Sequence, residues 1–202
     1  MRSTTLVRIT LLATLVAALP GVAAGAEESA RGDFAAPFPS GGELHLSIRS
    51  GDVRVVGGAE DQLVVRYEGY NADRADEVRV SLARTSPEVA KLRIQGGPRK
   101  RITIVVEIPR STDLVVRMPF GELVVEDVVG DKDVELRAGD VSLDVGDASQ
   151  YGHVDGSVTS GGLTARGFGV DTGGLFRSFT RKGTGSYRVH AHVGAGQLTL
   201  RD

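Results

Sequence analysis

Three observations predict an all-β protein organised as a β-solenoid-like array of short repeats. The first is a pattern written six times, in which an apolar residue lies three positions before a glycine and alternation resumes after it. The copies are Ile48 to Gly51 and Val53, Met118 to Gly121 and Leu123, Leu136 to Gly139 and Val141, Val158 to Gly161 and Leu163, Val170 to Gly173 and Leu175, and Val193 to Gly196 and Leu198. Each reads as strand, glycine turn and second strand, because glycine adopts backbone angles that other residues resist. The second observation is spacing: three of the four intervals between Gly121, Gly139, Gly161, Gly173 and Gly196 lie near the ~20 residues of one solenoid coil. The third is that glycine and β-branched residues interrupt every window long enough for a helix.

The amino-terminal 26 residues read as a secretory signal peptide. Arg2 and Arg8 make a positive start, Ile9 to Leu19 is an apolar run too short for an ordinary membrane span, and Ala24, Gly25 and Ala26 supply small residues for cleavage. Residues 27–42, with Pro37 and Pro39 among small residues, show no strand or helix period and are expected to be a flexible leader. One all-β domain is then expected over residues 43–202.

Strand alternation is clear from Glu43, with Leu44, Leu46 and Ile48 on one face and His45, Ser47 and Arg49 on the other. Four further strands are expected over residues 62–67, 77–82, 90–94 and 102–108, separated by breakers at Asn71 to Asp73, Ser86 with Pro87, and Gly96 to Pro98. Their alternation suggests antiparallel pairing with one wet face, so this half is a candidate cap for the repeats. After Pro109 the glycine copies take over. The chain stops two residues after Leu200, which leaves the last coil either covered by a segment such as Phe168 to Lys182 or available for homo-oligomer contacts.

Charge and composition narrow the function classes. The formal net charge is −2, and −4 once the two signal-peptide arginines are set aside. No basic excess marks a nucleic-acid binder. Cysteine is absent, so neither a disulfide nor a lipidated cysteine can fasten the mature chain, and no stable membrane anchor is expected after cleavage. Basic clusters stand at Arg99, Lys100 and Arg101, and at Arg177, Arg181 and Lys182. They read as solvated turn residues or as contacts for acidic glycans or anionic headgroups, with Arg99, Lys100, Arg101 and Arg181 the candidate set.

Several constellations could carry chemistry. Asp52, Glu122 and Asp140 each follow a repeat glycine; stacked on neighbouring coils they would sit near the ~4.8 Å strand spacing and could bind calcium or act on a sugar. They are equally good turn residues beside Arg49, Arg54 and Arg137. His190 and His192 share one strand face and could hold a metal if His153 or Asp155 supplied a third ligand; otherwise they are a polar outer face. No metal or cofactor is otherwise expected. Gly167 to Asp171 matches a calcium-binding nonapeptide only once and incompletely. Arg31, Gly32 and Asp33 form an integrin-type tripeptide of the kind that arises by chance. No serine sits on a nucleophile elbow and no glycine run forms a phosphate loop, so no enzymatic activity is expected.

Leu44 to Val55, the following strand around Gln62, Val105 to Pro109, Leu114 to Val116 and the Gly-Asp/Glu-Val/Leu copies together resemble the exported bacterial putative adhesin domains of unknown function. The resemblance spans residues 43–202. It implies a solenoid-like β-domain of the bacterial envelope, periplasmic or at the surface, with no catalytic residues to transfer. Related domains also look like accessories of envelope-stress signalling. Three functions follow as expectations: a binding or adhesion module for a glycan or an envelope protein, a periplasmic stress accessory, and a glycan-active enzyme using Glu122 and Asp140.

Overall fold

The computed structural model describes residues 27–69, 76–96 and 102–201. Residues 1–26, expected to be a signal peptide, and the Arg99, Lys100 and Arg101 cluster lie outside the described residues. The described chain is all-β, with no α-helix. Its strands are β1 (Glu27–Arg31), β2 (Phe34–Pro37), β3 (Gly42–Ile48), β4 (Ser50–Gly57), β5 (Gln62–Glu68), β6 (Val78–Arg84), β7 (Val89–Gly96), β8 (Thr103–Ile108), β9 (Thr112–Glu126), β10 (Lys132–Asp144), β11 (Tyr151–Ala165), β12 (Val170–Lys182) and β13 (Tyr187–Arg201). All join one mixed sheet ordered β1-β6-β7-β3-β9-β10-β13-β11-β12, with a branch β2-β5-β8-β4 that also meets β9.

The sheet is folded along a column of glycines. In β9 the buried apolar side chains are Leu114, Val116 and Met118, then Leu123 and Val125, so the inward parity switches between Met118 and Leu123. The same switch occurs in β10, from Val134 and Leu136 to Val141 and Leu143, and in β13, from Val189 and Val193 to Leu198 and Leu200. Side chains on a flat strand alternate strictly, so a parity switch requires a corner. Both halves of each strand thereby face a single apolar core, which β3 and β4 enter as the two arms flanking Arg49.

The corner is glycine because backbone meets backbone there. Gly51, Gly121, Gly139, Gly196 and Gly161 are consecutive partners across β4, β9, β10, β13 and β11. All five have positive φ, from 129° to 142°. A Cβ on Gly121, Gly139, Gly196 or Gly161 would overlap the carbonyl oxygen of the glycine before it in the column. On β12 the positive-φ position opposite Gly161 is Gly174, with φ 123°, so Gly174 rather than Gly173 joins the column.

One expectation is corrected. Residues 27–42 are not an unstructured leader: β1 pairs with β6 and β2 with β5. Phe34, Ala36 and Phe38 are buried at every second position, and Arg84 donates to the Pro37 carbonyl at 2.6 Å while its guanidinium lies 3.6 Å from Glu28. The apolar alternation was diluted by prolines and alanines. Of the two alternatives for the carboxy-terminal strand the structure has the covered one, with Val170–Lys182 closing the sheet beyond β11. Strand β13 lies between β10 and β11, both of its ladder edges occupied by parallel neighbours. Among the described residues β12 pairs antiparallel with β11 alone and is an outer strand, as are β1 and β2 elsewhere in the sheet. The four strands expected between the first two glycine copies do pair antiparallel, β5 with β8 and β6 with β7, as two separate pairs, and β7 and β8 then join β3 and β4 in parallel, so this half as a whole is mixed.

Candidate functional site

The repeat carboxylates come into register as the sequence suggested: Asp52 opposite Glu122, and Glu122 opposite Asp140. All three are exposed at the corner. Asp140 Oδ1 accepts the backbone N–H of Gln197 at 3.0 Å, which ties β10 to β13 beside the glycine column. Glu126, on the same strand as Glu122, lies between Arg54 at 3.0 Å and Arg201 at 3.4 Å; the Arg54 hydrogen bond holds its carboxyl below the usual range.

The first halves of β10, β13 and β11 place a denser set on the outer face. The ladder sets His190 between Asp133 and Asp155, and His192 between Glu135 and Ser157. Asp155, rather than His153, is therefore the neighbour of His190, with Oδ2 at 3.2 Å from Nδ1. His192 Nδ1 contacts Ser157 Oγ at 2.9 Å, so the two histidines have different partners. Arg117 on β9 completes the face, donating to Asp133 Oδ2 at 2.7 Å and lying 3.4 Å from Glu135. An open groove of about 450 Å³ runs beside it, lined by Ser47, Arg117, Glu135, Arg137 and His192.

Asp133, Glu135 and Arg117 were missed by reading each strand alone. Aligned on their glycines, the copies carry Asp133, Asp155 and His190 six residues before the glycine, and Arg117, Glu135, Ser157 and His192 four before it. In-register stacking turns those columns into neighbours.

At the far end of the sheet, β12 is exposed along nearly its whole length. Arg177, Phe179 and Arg181 lie opposite the buried Val158, Gly156 and Val154 of β11, and so cover the end of the core. Phe179 packs against Phe168, ring centroids 6.1 Å apart, and its ring takes the space a Cβ on Gly156 would need. Leu175 and Phe176 stand out, 63% and 79% exposed, and Phe176 holds φ at 52°. A left-handed phenylalanine costs about 1–2 kcal/mol.

One buried pair lies apart from these surfaces. Lys132, 1% exposed, donates to Tyr151 Oη at 2.6 Å and approaches the Gly130 carbonyl at 3.4 Å. Burial pulls the Lys132 ammonium down to about 8 despite Asp144, Asp131 and Asp113, and pushes the Tyr151 hydroxyl up to about 12.

No family model and no curated protein matches this chain. Among solved structures, a putative cell adhesion protein from Clostridium sporogenes is similar to it, with a TM-score of 0.49 at 13% identity, over 85% of this chain and 99% of that one. Among the described residues no helix is long and apolar enough to cross a membrane.

Proposed function

We propose that this chain is an exported, non-enzymatic binding module of a bacterial envelope, and that it engages another envelope protein through the free edge of β12. The observation that carries this reading is β12 itself: a 13-residue strand with one neighbour, bearing an exposed, strained Phe176 beside Leu175. A free strand edge offers main-chain donors and acceptors to an extended segment, and exposed apolar side chains add contact area. Strained residues that persist while exposed point to a role outside the fold. Arg177, Arg181 and Lys182 against a single Asp171 favour an acidic partner strand over a second copy of this strongly basic edge. Export rests on the amino-terminal segment, and the non-enzymatic reading on the missing nucleophile and phosphate motifs. The in-register bent strands support reading β9, β10, β13 and β11 as solenoid-like coils stacked out of chain order.

Retention on immobilised envelope fractions tests this directly. Arg177→Glu combined with Arg181→Glu is expected to lower retention of the purified protein about tenfold, and added salt to weaken the wild type. Protease treatment of the fraction should abolish retention. Retention that survives protease would assign the partner to glycan and reject the protein-partner reading.

A further inference from the structure

The outer face of β10 and β13 carries a chemistry that docking at β12 does not use. One ligand atom each from Asp133, Glu135 and His190 lies within 4.8 Å of the others. Two features separate this group from an ordinary charged surface. His190 turns Nδ1 to Asp155 Oδ2 at 3.2 Å; a proton on Nδ1 leaves the Nε2 lone pair free, which is how carboxylates orient metal-binding imidazoles. Asp133 gives Oδ2 to Arg117, whereas its Oδ1 is buried from solvent with no hydrogen-bond partner. A desolvated carboxylate oxygen without a donor is costly, and a cation relieves that cost.

We infer that Asp133, Glu135 and His190 form a site for a divalent transition metal of the zinc type, with Asp155 as the positioning residue behind His190. One imidazole nitrogen and two carboxylate oxygens are a ligand set that zinc accepts, at bond lengths of about 2.0–2.2 Å. Glu135 is half exposed, and closing the group around an ion requires it to turn away from Arg117, 3.4 Å distant. Neighbouring parallel strands hold the other two ligands, so the site is rigid on two sides and open to solvent on the third. That opening leaves a coordination position for water or for a carboxylate of a bound molecule. Arg117 sits against both acidic ligands and competes with the metal for Glu135, which restrains the affinity without removing the site.

Titration calorimetry with Zn²⁺ alone, near neutral pH, tests the assignment. The wild type is expected to take up one equivalent. Asp133→Asn and His190→Ala should each weaken binding more than about tenfold, and Asp155→Asn by about tenfold through loss of the imidazole's orientation. His45→Ala, at a histidine–glutamate contact on β3, should leave it unchanged. The side chains are all partly exposed, and a thermal melt of each variant checks that it remains folded. Absence of saturable binding in the wild type, binding that persists in both Asp133→Asn and His190→Ala, or equal loss in His45→Ala would overturn the site.

Discussion

Gly139→Ala is expected to destabilise the fold severely, although it adds a single methyl group. Gly139 has φ 132°, and a Cβ there would lie under 3.0 Å from the backbone of Gly121. Neither partner can retreat, because Gly121 is held against Gly51 and Gly196 against Gly139 in the same column. Backbone strain and steric overlap together should cost about 4 kcal/mol or more, a large part of the stability of a domain this size. Gly169→Ala is the matched control. Gly169 also has positive φ, 76°, but a Cβ there meets nothing within 4 Å, so the expected loss is only about 1–2 kcal/mol. Urea titration followed by circular dichroism separates the two. Equal midpoints would contradict the account of the column.

The second large effect is a rise in stability with pH that depends on Lys132. In the unfolded chain a lysine keeps its proton up to about 10.5, whereas in the fold Lys132 releases it from about 8. Between those values the unfolded state binds more protons, so stability increases as pH rises, by an amount on the order of 2–3 kcal/mol. Tyr151 and Tyr67 act in the opposite sense. Burial raises each hydroxyl from 10.0 to about 12, so above pH 10 the unfolded state loses protons first and stability falls. Stability should therefore climb from pH 8, peak near 10 and then decline. Lys132→Met removes the ammonium, keeps the volume and should flatten the climb. Denaturant midpoints across this range give the test, and an unchanged slope in Lys132→Met would show that another group is responsible.

Much of this architecture was legible in the residues, and the reasons are specific. The glycine copies marked the corners because only glycine can bring one backbone against the next at positive φ, and five of the six fell into one column. Strand β3 was visible through Leu44, Leu46 and Ile48, and β8 through the apolar run ending at Pro109. Strand β2 was missed because Phe34, Ala36 and Phe38 alternate across alanine and proline, a signal too weak until β5 covers it. Strand order was hidden for a different reason. The β11–β12 hairpin turns the chain back, so β13 inserts between β10 and β11, and no local pattern encodes which copies become neighbours. The same ordering made the Asp133, His190 and Asp155 row: the histidine was readable as outward-facing, but its carboxylate neighbours depended on a non-sequential pairing. Strain at Phe176 has no counterpart in sequence, since phenylalanine ordinarily avoids positive φ.

The central claim is that β12 is the binding edge, and a photo-crosslinking side chain at position 176 tests it most directly. Introduced there in the full chain in its own cells, the probe should yield one discrete adduct with an envelope protein. The same probe at Lys91, exposed on β7 at the other end of the sheet, should yield none. A discrete adduct from position 91, with none from position 176, would contradict the assignment.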